Sequence, residues 1–190
     1  MTTKNSSIAT GVNVALLRGI NVGGKNRLPM QELVALFVDA GCEDVRTYIQ
    51  SGNVVFRTGP AGGEDISSVI SASILDHFGY RVPVVVRTAR ELQKIAQGNP
   101  FVAAGAEKDK LHVMFLAELP DSASVEALDP ERSPGDEFAV MGREIYLHCP
   151  NGVARSKLTN SYFDSRLSTT STSRNWRTVQ KLLELAAAAS

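Results

Sequence analysis

Residues 11–30 read GVNVALLRGINVGGKNRLPM and join a predicted strand to a predicted helix. The run from 12 to 17 is short, apolar and bounded by glycines, which is typical of a buried strand. From 29 to 40 apolar residues recur at helical spacing, and Gly41 follows as the residue type that commonly ends a helix in the left-handed conformation. The glycine-rich stretch between them is therefore predicted to connect a strand to a helix.

The next segments complete a regular alternation of elements. Residues 45–56 alternate in polarity around Ser51-Gly52-Asn53, which predicts a hairpin. A helical pattern from 66 to 79 and an apolar strand from 82 to 86 follow. Residues 12–87 thus order as strand, helix, strand, strand, helix, strand, which is the split order of a ferredoxin-like unit.

The second half shows a similar but weaker pattern. It begins with a capping box at 88–91, and strands are predicted at 111–115 and on both sides of Gly142-Arg143. Helical patterns occupy 122–128, 156–166 and 174–187, whereas 168–173, STTSTS, is predicted to be a solvated loop with Thr172 or Ser173 as helix cap.

We therefore predict an α+β protein made of two ferredoxin-like units packed together, with mostly antiparallel sheets and helices on one face. The predicted parts are a disordered N-terminus at 1–10, a first unit at 11–97, a connection at 98–110 and a second unit at 111–190. The two units can act as one domain.

The charge composition bears on nucleic-acid binding. Twenty basic residues balance twenty acidic ones, which argues against binding dominated by nonspecific nucleic-acid contacts. Charge is nevertheless uneven, because seven acids face one arginine in 118–137, and six bases face one acid in 151–182. The second segment predicts either a basic face or ordinary solvated helices.

Cys42 and Cys149 lack metal-ligand spacing and a disulfide framework, which suits a reducing compartment. No apolar run reaches membrane-spanning length, so we expect a cytoplasmic protein with no membrane partner. The three histidines fall on different predicted elements, and no metal site is predicted.

Residues 19–26, GINVGGKN, match a phosphate-binding P-loop at every position of its pattern except the last. The pattern G-x-x-x-x-G-K is complete, but Asn26 stands where the magnesium-binding Ser or Thr belongs. Pro29 is predicted to be the first helical residue, which leaves Lys25 in the loop. Three interpretations stay open: an anion site made by backbone amides and Lys25, a degenerate P-loop for phosphoryl transfer, and a purely structural connection.

Three segments resemble the bacterial domain-of-unknown-function 1697 family: LLRGINVGGKNRLPM (16–30), RTYIQSGNVVF (46–56) and STSRNWRTVQKLLEL (171–185). The resemblance implies a small α+β bacterial protein, mostly cytoplasmic, with no established activity. The recurrent polar positions of the family fall on several residues here, and none carries an assigned catalytic role. They are Arg18, Asn21, Gly23, Gly24, Lys25, Gln50, Ser51, Gly52, Asn53, Arg174 and Asn175.

We predict that these positions, apart from Gly52, bind a small anionic or nucleotide-like ligand. A cluster of Arg, Lys, Asn and Ser without acid or histidine suits an anion or a carbonyl better than acid–base chemistry. The alternatives are phosphoryl transfer, and an interaction module for RNA or protein with a basic C-terminal face. RNA binding needs exposed aromatics such as Tyr48 and Phe56. The sequence leaves the catalytic residues, the cofactors and the oligomeric state unknown.

Overall fold

The computed structural model describes residues 11–59 and 65–189, so the N-terminal segment 1–10, predicted to be disordered, lies outside the described residues. The first half contains strands β1 Val12–Leu17, β2 Cys42–Tyr48, β3 Asn53–Thr58 and β4 Val84–Thr88, and helices α1 Met30–Asp39, α2 Ile66–Phe78 and α3 Ala89–Gln97. The second half contains strands β5 Leu111–Leu116, β6 Glu137–Met141, β7 Glu144–His148 and β8 Ser171–Asn175, and helices α4 Pro100–Ala103, α5 Ser122–Glu126, α6 Asn160–Leu167 and α7 Trp176–Ala188.

The two halves build sheets of the same design. Each sheet has four strands, in the orders β2-β3-β1-β4 and β6-β7-β5-β8, and all neighbours are antiparallel. Even the registers correspond, since Val14 pairs with Arg87 in the first sheet as Val113 pairs with Arg174 in the second. The predicted α+β class is therefore confirmed, with one antiparallel sheet in each half.

Helices cover both faces of the first sheet, whereas the sequence predicted helices on one face. Ala15, Leu17 and Phe56 pack with residues of α1 and α2. Val14 and Leu16, on the opposite face, join a central core with residues of α3, α7 and the second sheet. All six residues of β1 are buried as a result. A third cluster fills the space between the second sheet and α6.

Strand β8 was not predicted. The sequence indicated a solvated loop at 168–173, but Ser171–Asn175 pairs with β5, and Ser171 and Thr172 are buried. Hydrogen bonds from Ser171 Oγ to Asp164 and from Asn160 to Ser171 Oγ satisfy the buried hydroxyl, so a polar sequence forms the strand. The cap of α7 is Asn175, whose Oδ1 accepts from Thr178 N, and not Thr172 or Ser173.

Candidate ligand-binding site

Two surface segments meet at one end of the first sheet. The glycine loop, residues 19–28, follows β1, and the hairpin turn, residues 49–52, joins β2 to β3. Asn21 connects them, because its Nδ2 donates to Gln50 O at 3.0 Å and to Leu28 O at 2.9 Å. Its Oδ1 accepts from Leu28 N at 2.9 Å. All hydrogen-bonding groups of the Asn21 amide thus fix the position of the glycine loop on the turn.

The glycine loop is not folded like a P-loop. Lys25 N donates to Val22 O at 3.0 Å and Asn21 N donates to Asn26 O at 3.1 Å, so two of the amides are paired within the loop. Helix α1 begins at Met30 with Pro29 as its N-cap, which corrects the prediction that Pro29 is the first helical residue. Lys25 stays in the loop, as predicted, and does not start the helix.

The outer part of the glycine loop is open to solvent. Gly23 and Gly24 have φ angles of 57° and 76°, which explains the choice of glycine. A Cβ added to either residue meets no atom of the described residues within 4 Å. Both residues are exposed, and no hydrogen bond to the rest of the described chain uses their amides. Space and donors for an external group are therefore present beside Lys25.

The cations of the glycine loop are also without protein partners. Lys25 and Arg27 are exposed, and neither side chain bonds to another residue of 11–59 or 65–189. Gln50 lies on the neighbouring turn, with its side chain exposed. Two exposed positive charges thus belong to the same loop as Gly23 and Gly24, and Asn21 fixes that loop on the turn.

Arg174 supports the hairpin turn from inside the protein. Its Nε donates to Asn53 Oδ1 at 2.5 Å, and its Nη2 donates to Leu17 O at 2.7 Å and to Ser51 O at 3.1 Å. The residue is 8% exposed, and burial lowers the pKa of Arg174 to about 10, which leaves it protonated at neutral pH. Protein oxygens thus occupy this guanidinium, which positions the turn, whereas the sequence predicted a ligand contact.

Asn53 belongs to the same support. It is fully buried, and its Nδ2 donates to Tyr48 O at 3.0 Å and to Ser51 Oγ at 2.9 Å. Its Oδ1 accepts the hydrogen bond from Arg174 Nε. The Asn53 side chain therefore stabilises the turn through hydrogen bonds, as asparagine side chains often do. Asn53, which the sequence predicted as a ligand contact, thus has a structural role in the turn.

A second arginine makes the reciprocal contact. Arg87 occupies the position of β4 that corresponds to Arg174 of β8. Its Nη2 donates to Leu116 O at 2.7 Å and to Arg143 O at 3.2 Å. Its Nε bonds to Glu144 Oε1 at 2.8 Å. Burial lowers the pKa of Arg87, and Glu144 opposes that effect. Each half of the chain therefore inserts one arginine between a strand end and a hairpin of the other half.

Arg18 is paired inside the protein. It forms an ion pair with Asp164, and its Nη1 donates to Ser171 O at 3.1 Å. Asp164 also accepts from Ser171 Oγ at 2.6 Å. Although the Arg18 side chain is 30% exposed, its charge is compensated. Arg18, which the sequence predicted as a ligand contact, thus bonds to the second half of the chain.

Asn175 lies apart from the two surface segments. It lines a cavity of about 410 Å³ with Lys108, His112 and Arg177, and no hydrogen bond links it to the glycine loop or the turn within the described residues. Burial lowers the pKa of His112 and favours its neutral form, against a weaker effect of the Lys110 backbone. Asn175 and Arg174 were predicted together because both match recurrent polar positions of the family, but neighbouring strand residues point to opposite faces.

The structure weakens two alternative functions. Phe56 is 1% exposed and its ring lies 5.1 Å from that of Phe37, so it cannot stack on a base. The predicted basic face is also reduced, because Arg174 is buried and Lys181 bonds to Glu184. The exposed bases of this segment that have no ion pair with a described residue are Arg155, Lys157, Arg166 and Arg177.

Metal and membrane sites receive no support from the described part of the chain. It contains no group of three or more His, Cys, Asp and Glu side chains suited to a metal ion. Within residues 11–59 and 65–189, none of the helices combines the length and apolar content needed to cross a membrane.

Comparison with known proteins gives a family and a fold. The model of a family described as "Protein of unknown function (DUF1697)" matches residues 11–146. The chain belongs to this family. Its structure is similar to that of the conserved bacterial protein SP0830 from Streptococcus pneumoniae, with a TM-score of 0.70 and 21% identity, over 94% of this chain and 99% of that one. A search of curated proteins gives no match.

Proposed function

We propose that this protein binds a small anionic or nucleotide-like ligand on the outer surface of the glycine loop. The proposal rests on two adjacent exposed residues, Gly23 and Gly24, whose amides bond to no other described residue, and on the neighbouring exposed Lys25, whose ammonium has no partner among the described residues. Converging backbone donors and a nearby cation are what bound anions require.

The contacts divide into two groups under this proposal. Gly23, Gly24, Lys25 and Gln50 touch the ligand, because they are exposed on the two segments that Asn21 joins. Four further candidates hold those segments in place, and they are Asn21, Ser51, Asn53 and Arg174. Arg18 pairs with Asp164 and Ser171 instead, and Asn175 lines a separate cavity. Since that support is complete without a ligand, binding needs little ordering of the loop.

Binding is better supported than phosphoryl transfer. A phosphoryl-transfer loop places its lysine at the helix start and a hydroxyl on magnesium, but Lys25 lies five residues before Met30 and is followed by Asn26. Two amides of the loop are already paired, so it cannot wrap a phosphate as a P-loop does. We therefore propose a binding protein, with phosphoryl transfer as the weaker alternative.

We also propose that each half of the chain is a ferredoxin-like unit. The supporting observations are the strand-helix-strand-strand-helix-strand order of both halves and the equivalent strand orders of their sheets. The reciprocal contacts of Arg87 and Arg174 further support a relation between the halves close to a two-fold rotation.

Titration calorimetry with inorganic phosphate, nucleoside mono- to triphosphates and sugar phosphates tests the binding proposal. For a ligand that binds, Lys25→Ala should weaken binding about tenfold, since a charged hydrogen bond contributes about 1.5–3 kcal/mol. Lys157→Ala, which removes another exposed lysine, should leave the affinity unchanged. Equal effects of the two substitutions, or no binding across the panel, would contradict the proposal.

A further inference from the structure

The equivalent edge strands of the two sheets differ in how they are protected. Strand β2 carries a bulge between Glu43 and Arg46, and Asp44 in the bulge has a φ of 50°. Exposed charges and bulges of this kind prevent the addition of another strand. Strand β6 has no such irregularity, because it pairs with β7 in unbroken register from Glu137 to Met141.

The free edge of β6 presents a row of backbone groups. The two-residue turn at Gly142-Arg143 makes Met141 and Glu144 a hydrogen-bonded pair, so Ala139 and Glu137 also bond to β7. Phe138 and Val140 then direct their N–H and C=O groups away from β7. No bond to another part of the described chain takes these groups. An edge in this state can accept an added strand.

An acidic groove begins where β6 begins. A cavity of about 740 Å³ is lined by four acids and by apolar side chains that include Leu128 and Phe138. The four acids are Glu126, Glu131, Asp136 and Glu137, and no lysine or arginine lines the cavity. Arg132, the single base of the acidic segment 118–137, lies 5.1 Å from the Tyr162 ring. The charge beside the free edge is therefore negative.

We infer that the β6 edge binds an extended, basic segment of a partner protein as an added strand. Phe138 and Val140 provide backbone hydrogen bonds, and the acidic groove receives lysine or arginine side chains of the partner. A second copy of this chain fits less well, since pairing β6 with β6 would bring two acidic segments together. This site has the opposite charge to the glycine loop and is independent of the function proposed there.

Fluorescence anisotropy with a labelled ten-residue peptide of alternating Lys and Val tests the inference. The peptide should bind, more weakly as salt rises, and a peptide of alternating Glu and Val should not. Glu126→Gln with Glu131→Gln should lower the affinity about fivefold, because two exposed ion pairs are lost. Glu32→Gln with Glu43→Gln removes the same charge elsewhere and should change nothing, as should Lys25→Ala.

A backbone test separates strand addition from charge attraction. Two Lys-Val peptides are compared, one N-methylated at its odd positions and the other at its even positions. In an extended strand these positions direct their N–H groups to opposite edges, so each peptide has one blocked edge. Only the peptide whose blocked edge faces β6 should lose affinity, by about tenfold or more. Val140→Pro, which removes an outward N–H and leaves the pairing with β7, should weaken the unmodified peptide. The inference would be overturned if the two methylated peptides bind equally or if the basic peptide does not bind. It would also be overturned if sedimentation shows a dimer of this protein that Val140→Pro dissociates.

Discussion

At the scale of single residues, Arg174 and Arg87 show two ways to bury a guanidinium. Arg87 has a carboxylate partner in Glu144, whereas Arg174 bonds only to neutral oxygens, among them Asn53 Oδ1 and Leu17 O. Arginine suits this environment because its planar group offers five donors and is weakly hydrated. The unpaired charge of Arg174 is therefore held by complete hydrogen bonding, which makes the residue hard to replace.

Replacing Arg174 with lysine should destabilise the protein by about 3 kcal/mol, because an ammonium has three donors and leaves several buried oxygens unsatisfied. Urea unfolding followed by circular dichroism measures the change. Arg155→Lys, at an exposed position, should have an effect near zero. A loss below about 1 kcal/mol for Arg174→Lys would show that the buried hydrogen bonds are not what fixes the turn.

At the scale of elements, two glycines with similar φ angles should respond differently to substitution. A Cβ at Gly52 lies 2.6 Å from Leu17 Cβ, whereas a Cβ at Gly23 meets no described atom within 4 Å. Gly52→Ala should therefore cost about 3 kcal/mol, from strain and overlap together. Gly23→Ala should cost about 1 kcal/mol, from strain alone. Urea unfolding of both variants tests this order, and equal losses would contradict it.

Regular elements with an apolar pattern could be predicted from the sequence. Strand β1, helix α1 and the hairpin around residue 142 agree with the prediction because one simple period or turn signal defines each of them. Strand β8 lacks an apolar period, since buried hydrogen bonds replace apolar packing there. A usable signal existed: Arg87-Thr88-Ala89-Arg90 and Arg174-Asn175-Trp176-Arg177 both cross from a strand into a capped helix.

Only part of the candidate site could be predicted in the same way. The glycine loop and the hairpin turn meet through Asn21 and Gln50, a contact that the sequence alone did not establish. The partner of Arg18 could not be predicted, because Asp164 is 146 residues away and belongs to a helix with a weak pattern. The family positions alone could not separate Arg174, which bonds to the turn, from Asn175, which lines another cavity.

At the scale of the whole molecule, the two halves share one core. The central cluster combines Val14 and Leu16 of β1 with Val113 and Phe115 of β5, and Trp176 lies in the same cluster. Separating the halves would expose this cluster to water and leave Arg87 and Arg174 without their oxygen partners. We therefore propose that the two halves act as a single cooperative unit.

Fragments 1–98 and 99–190, expressed separately, should each give the poorly dispersed amide spectrum of an unfolded chain. The reason is that each loses one side of the central core and the oxygen partners of its buried arginine. Two-dimensional ¹H–¹⁵N NMR is the measurement, and the intact chain is the control. A well-dispersed spectrum from either fragment would show that the halves are separate domains.

Ligand binding at the glycine loop can be tested most directly by titrating the ¹⁵N-labelled intact protein with a ligand that calorimetry identifies. The amide signals of Gly23, Gly24, Lys25 and Gln50 should shift together and give one dissociation constant, while those of Asn53 and Arg174 in the buried support change little. Shifts confined to other surfaces, or none at saturating ligand, would contradict the proposed site.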